Sequence, residues 1–175
     1  MSKVLVLDTS MLCCWLQVPG KDTCVAPDGK WDFDRVNEKI QAEKEENTTF
    51  VIPLAAIIET GNHIAQAKTG NRYEVACKLA EIMRQTAESL SPWAAFDNQS
   101  HFWKGDGLKQ LASEFPEKAN EKISIGDLTI KSVADYYSKM GGIYKVEIFT
   151  ADAGLKAYEP VSKTPPIPQP RRRKR

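Results

Sequence analysis

Short apolar runs alternate with longer amphipathic stretches along the chain. Residues 4–7 form a continuous apolar run, which is typical of a strand buried on both faces, and the run stops at Asp8. Residues 48–53 predict a second buried strand, and residues 146–149 predict a third strand that leads to Asp152. Three strands of this kind predict a sheet that is covered on both faces.

Helical periodicity fills the intervals between these strands. A charged helix is expected to begin at Asp34, as its N-terminal cap, and to run to about residue 47, whereas prolines and glycines mark residues 17–33 as a loop. Four further helices are predicted over residues 54–67, 72–90, 108–123 and 126–140. Strands that alternate with helices predict an α/β fold of three layers, α/β/α, with a central and mainly parallel sheet.

One aromatic segment interrupts this alternation. Trp93, Phe96, Phe102 and Trp103 occur within residues 92–107, which have no regular period. We expect these rings to form a hydrophobic plug beneath a loop, with a base-stacking platform as the alternative.

Composition divides the chain into a body and a tail. The 175 residues match one domain of ordinary size, and residues 1–159 are predicted to form it. Residues 160–175 predict a flexible, extended tail, because prolines are dense there and five basic residues end the sequence. Residues 1–170 carry 19 basic against 23 acidic residues, so the body is mildly acidic and the end is strongly basic.

Cysteine usage and hydropathy bear on the class of protein. The four cysteines and two histidines include no C-x-x-C pair, which predicts neither a zinc site nor a disulfide framework. No apolar run approaches the roughly 20 residues of a membrane span, and residues 2–16 lack the features of a signal peptide. We therefore expect a cytoplasmic protein with reduced thiols and no membrane contact.

Two of the predicted strands deliver an aspartate to the same edge of the sheet. Asp8 and Asp152 follow strand ends, and ligands of open parallel sheets bind outside the carboxyl ends of the strands. Thr9, Ser10 and Thr150 are neighbouring hydroxyl residues that could orient a carboxylate or a metal-bound water. Because an aspartate after a strand is also a common helix cap, each acid alone fits a structural role equally well.

Two further acids lie in predicted helices. Asp127 lies at the edge of the apolar arc of its helix, whereas Asp135 points further toward solvent. The alternative role of Asp127 is interaction with the dipole of the helix N-terminus. Glu59 lies opposite the predicted apolar arc of residues 54–67, so periodicity alone indicates a solvated glutamate.

Four segments resemble the acidic motifs of PIN-domain nucleases, in the order of that family. They are VLVLDTS at residues 4–10, VIPLAAIIE at 51–59, GDLTIKSVA at 126–134 and IFTAD at 148–152. The resemblance implies a PIN-like nuclease domain. It implies that Asp8, Glu59, Asp127 and Asp152 are the catalytic, metal-binding residues, with Ser10 and Thr150 as supporting hydroxyls. The chain departs from compact members in its longer segments at residues 17–33 and 92–107 and in the lack of a clear strand after Asp152.

The implied activity is that of a metal-dependent endoribonuclease. Carboxylate oxygens suit Mg²⁺ or Mn²⁺, which keep several waters and bind substrate phosphates. A metal-activated water would hydrolyse the phosphodiester bond, and converging carboxylates would raise the pKa of at least one member of an empty site. RNA is the expected substrate, with single-stranded DNA as its alternative, and the resemblance implies a homodimer or a larger assembly.

The basic end of the chain suits nucleic-acid binding, and two functions other than a nuclease also fit the sequence. Five basic residues at the end of the sequence predict phosphate contacts with nucleic acid: Arg171, Arg172, Arg173, Lys174 and Arg175. The same run also fits a nuclear-import signal, a contact for an acidic partner or a solvated tail. A catalytically silent PIN-like adaptor would instead bind a partner or RNA through the proline-rich basic tail. A phosphatase or phosphotransferase would use Asp8 as its nucleophile, but that chemistry prefers an acid where Ser10 stands.

Overall fold

The computed structural model describes residues 2–163 and alternates strands with helices. Its elements in chain order are β1 (Ser2–Leu7), α1 (Thr9–Leu16), β2 (Cys24–Ala26), β3 (Gly29–Trp31), α2 (Phe33–Glu45), β4 (Thr49–Val51), α3 (Leu54–Gln66), α4 (Arg72–Ala87), a 3-10 helix (Phe96–Trp103), α5 (Gly105–Asn120), α6 (Ile125–Lys139), β5 (Ile143–Phe149) and α7 (Ala153–Lys156). All three predicted strands and all five predicted helices are present within a few residues of their expected bounds.

The central sheet has the order β4-β1-β5, and both pairings are parallel. Leu5 on β1 is paired with Phe50 on one side and Glu147 on the other. Because the three strands run in the same direction, their carboxyl ends meet at one edge of the sheet. That edge carries Asp8 and Thr150.

Helices flank the sheet on both faces. Successive side chains of a strand point to opposite faces, so Leu5 and Leu7 join one core and Val4 and Val6 join another. The first core includes buried residues of α1 to α4, and the second includes those of α6 and Leu155 of α7. The arrangement confirms an α/β fold and is compatible with three layers.

The segment at residues 17–33 differs from the predicted loop because it contains the β2-β3 hairpin. Gly29 follows the turn with φ of 115°, a value that L side chains rarely adopt. Trp31 anchors the hairpin by packing its ring edge-on against Phe149, with 5.2 Å between ring centroids. The predicted cap of α2 was also wrong by two residues, since the Asp32 side chain accepts from the backbone N–H of Arg35 at 3.2 Å.

The aromatic segment only partly forms the predicted plug. Trp93 is buried, meets Phe50 edge-on and donates from Nε1 to Gln85. Trp103 is 42% exposed, so the prediction is wrong for that ring. Its neighbour Phe102 packs partly buried against the second core.

Two contacts hold peripheral segments, one against helix α1 and one against strand β5. Cys14, on α1, donates a thiol hydrogen bond to Cys24 on β2, with 3.3 Å between the sulfurs. After α7 the chain returns along β5, where the backbone N–H of Lys163 donates to the Tyr144 carbonyl at 2.7 Å. As expected, the described residues contain no strand after Asp152. Among the helices that the structure describes, none is both long and apolar enough to cross a membrane.

Candidate carboxylate site

Asp8 lies at the carboxyl end of β1 and is only 6% exposed. Its Oδ2 accepts hydrogen bonds from Ser10 Oγ and Thr150 Oγ1, both at 2.7 Å. The Asp8 backbone N–H donates to the Phe149 carbonyl at 3.1 Å, which joins the ends of β1 and β5. Both predicted supporting hydroxyls therefore contact the same carboxylate oxygen, and they restrain its orientation.

Asp152 follows β5 by three residues and caps α7. Its Oδ1 accepts from the Leu155 N–H at 2.9 Å, which is the structural role that a strand-end aspartate often has. Its own N–H donates to Thr150 Oγ1 at 2.9 Å. A Cβ added at Gly154 would lie 3.0 Å from Oδ1, so a small residue leaves space beside this carboxylate. Thr150 therefore links Asp152 to Asp8.

Glu59 reaches from α3 toward α1 and α6. Its Oε2 accepts from Thr9 Oγ1 at 2.9 Å. A Cβ added at Gly126 would lie only 2.5 Å from its Oε1, so glycine is what makes room for the glutamate beside α6. Glu59 therefore contacts Thr9, the residue after Asp8, and lies beside Gly126, the residue before Asp127.

The prediction that Glu59 is a solvated surface residue was wrong. It assumed an apolar arc that included Ile58 and Ala65, but Ile58 is 53% exposed and Ala65 is exposed. The face that is buried instead carries Ala55, Ala56, Thr60 and Ile64. This buried face places Glu59 where it contacts Thr9 on α1.

Asp127 occupies the first turn of α6 in a capping box. The hydroxyl of Ser124 donates to Asp127 Oδ2 at 2.7 Å and accepts from the Asp127 N–H at 3.0 Å. Burial raises the pKa of Asp127, hydrogen bonds from Ser124 oppose that rise, and the charges of Asp8 and Asp152 add to it. The pKa of Asp127 is therefore raised mainly because its carboxylate is half-buried, and the two aspartates make the smaller contribution.

The acids share a neighbourhood without forming a closed set of ligands. Within residues 2–163, no group of three or more His, Cys, Asp or Glu side chains is arranged so that it could hold a metal ion. Local donors explain this spacing, because Thr9, Ser124 and the α7 backbone each occupy an oxygen of a different carboxylate.

No protein-family model, curated protein or solved structure significantly matches this chain.

Two contributors to the site were not predicted, and a third was predicted without its partner. Ser124 and Gly126 hold or accommodate Asp127 and Glu59, whereas Thr9 was expected to orient a carboxylate and contacts that of Glu59. The pattern of Ser124 followed three residues later by Asp127 is a visible capping signal, so sequence could have identified it. The contact of Thr9 with Glu59 spans 50 positions and leaves no local pattern. The predicted basic cluster, Arg171–Arg175, lies outside the described residues.

Proposed function

We propose that this protein is a Mg²⁺- or Mn²⁺-dependent nuclease of PIN-like fold that cuts RNA. The observation that carries the proposal is the link of Asp8 to Asp152 through the Thr150 hydroxyl at the carboxyl ends of parallel strands. The pKa of Asp127 is raised chiefly by burial and further by the charges of both aspartates, which supports its membership of the site. Glu59 extends the acidic neighbourhood through Thr9, which follows Asp8 directly.

The absence of basic partners supports a cation at this site. Within residues 2–163, none of these four carboxylates forms an ion pair. Elsewhere the fold pairs its buried acids, because Glu43 and Glu147 are both matched by Lys3 and Lys39. Asp8 is buried and Glu59 and Asp127 are half-buried, whereas Asp152 is exposed. Leaving the three less accessible carboxylates uncompensated is costly, and a divalent ion would neutralise them.

The donor set fits Mg²⁺ or Mn²⁺, since it consists of carboxylate oxygens with hydroxyl groups behind them. Asp8, Glu59, Asp127 and Asp152 would hold the ion, and Glu59 and Asp127 would exchange hydroxyl partners for it. When bound, the metal would stabilise negative charge on the phosphate and make water a better nucleophile. Ser10 and Thr150 keep Asp8 oriented toward that task.

The proposal is tested by incubating structured and unstructured RNAs, with single-stranded DNA alongside, in Mn²⁺, Mg²⁺ or EDTA. Wild type is compared with Asp8→Asn and with Asp135→Asn, an acid on the same helix as Asp127 that is paired with Lys131. We expect metal-dependent cleavage that is lost in Asp8→Asn and kept in Asp135→Asn. Cleavage that persists in EDTA or in Asp8→Asn would contradict the proposal.

A catalytically silent adaptor is the second candidate. The specific observation in its favour is that residues 2–163 contain no ready-made group of three metal ligands. Mn²⁺ titration monitored by electron paramagnetic resonance separates the two functions, because the nuclease loses tight Mn²⁺ binding in Asp8→Asn and the adaptor shows none in either protein.

A further inference from the structure

A cavity of about 430 Å³ opens beside the acidic site. Its walls come from the β2-β3 hairpin, the first half of α2 and the end of β5 with the residues that follow. Thr150 and Asp152 belong both to this cavity and to the acidic site. Its size falls within the range of about 300–1,000 Å³ that small-ligand sites occupy.

The basic side chains that line the cavity are all paired with carboxylates. Arg35 contacts Asp28 at 2.7 Å, and Lys39 contacts Glu147 at 3.0 Å. Lys156 contacts Glu159, which lies outside the cavity lining, at 2.5 Å and also donates to the Ile148 carbonyl. Asp152 also lines the cavity and forms no ion pair within residues 2–163. Paired cations beside an unpaired carboxylate do not select an anion. They suit an uncharged ligand that can exchange hydrogen bonds at its edges.

Arg35 provides a flat surface within this cavity. Its guanidinium carbon lies 3.9 Å from the centroid of the Trp31 ring. Bonds to the Lys30 carbonyl at 2.9 Å and to the Asp28 carboxylate hold it there, and Trp31 Nε1 donates to the same carboxylate at 3.0 Å. The Arg35 side chain is 37% exposed, so ligand can reach it while the indole supports it from beneath.

We propose that this cavity binds the nucleobase next to the RNA bond that is cut, with the base stacked on Arg35. Guanidinium planes and aromatic rings are the surfaces on which proteins stack unpaired bases. A base is planar, uncharged and rich in hydrogen-bond donors and acceptors at its edges, which matches a cavity whose basic side chains are already paired. Because Asp152 lines the cavity and also belongs to the acidic site, a base bound in the cavity would bring its attached phosphate to the proposed metal ion. The inference rests on the proposed nuclease function and assigns its substrate subsite to the hairpin.

The test uses the uncut complex of the Asp8→Asn protein with single-stranded oligonucleotides that contain 4-thiouridine. After irradiation, cross-linked peptides are mapped, and we expect them within residues 24–39. Binding is measured in parallel by fluorescence anisotropy for Arg35→Lys, which keeps the charge but loses the planar group. Arg84→Lys is the matched control, because Arg84 is also paired with a carboxylate but lies on α4.

The proposal expects Arg35→Lys to weaken binding by about five-fold or more, while Arg84→Lys changes it by less than about two-fold. Cross-links confined to other segments, or equal binding of RNA by the two variants, would overturn the base subsite. RNA binding and cutting by the wild type would in that case still support the nuclease function. Failure of every variant to bind RNA would overturn both. Because cross-link mapping uses the intact hairpin, it decides the question even if Arg35→Lys folds poorly.

Discussion

Glu147 on β5 should make the fold sensitive to acid. Burial by itself would raise the pKa of Glu147, but hydrogen bonds and charge from Lys3 and Lys39 lower it to about 2. The same two lysines contact Glu43, which is buried at the other side of the network. These ion pairs hold β5, the strand that leads to Thr150, so their loss would loosen the carboxylate site as well.

The size of the effect follows from the pKa. A fall from the ordinary value of 4.5 to about 2 corresponds to about 3 kcal/mol of unfolding free energy, because each pKa unit is worth about 1.4 kcal/mol. The folded state binds the proton less tightly than the unfolded state. The stabilisation is therefore complete above about pH 5 and is lost as the pH falls toward 2.

Urea denaturation between pH 7 and pH 2.5 measures this contribution in wild type and in Glu147→Gln, which keeps the shape and removes the charge. We expect the difference in unfolding free energy between the two proteins to shrink steadily below about pH 5. Glu81→Gln is the control, because the ion pair of Glu81 with Arg84 lies on the exposed surface and contributes little to the free energy of unfolding. A difference between Glu147→Gln and wild type that stays constant across this range would refute the reasoning.

Three further predictions concern the carboxylate site. Gly126→Ala should displace Glu59 and reduce Mn²⁺ affinity and the rate of cleavage by about 10-fold or more. Gly61→Ala is the control and should preserve both, because a Cβ added there meets nothing within 4 Å. Equal effects of the two substitutions in Mn²⁺ titration and cleavage assays would contradict this prediction. Ser124→Ala removes the side-chain hydrogen bond that lowers the pKa of Asp127, so the acid limb of the pH–cleavage profile should move to higher pH, and an unmoved limb would exclude Asp127 from the site. Mn²⁺ at a hundred times its Kd should stabilise the fold by about 2.7 kcal/mol, and an unchanged thermal midpoint relative to EDTA would count against a metal site.

Features that depend on neighbouring residues were predictable from the sequence. The run at residues 4–7 is apolar without alternation because β1 lies between two strands and between two helix layers, and that burial appears directly in composition. The position of Asp8 at the strand end followed from the same run. The periodicity of α6 identified its buried face, and with it the edge position of Asp127.

Features that depend on distant residues were decided only by tertiary packing. The orientation of Glu59 reflects small residues on α3 and the missing side chain at Gly126, 67 positions away, neither of which alters local periodicity. The hairpin that carries Trp31 is held by its contact with Phe149, so its short strands show little hydrophobic pattern of their own. Sequence alone thus determined the three strands of the central sheet and five of the helices, because burial selects residue types locally. The meeting of the acids and the cavity beside them depended on how those segments pack, since contacts between distant residues leave no periodic signal in the chain.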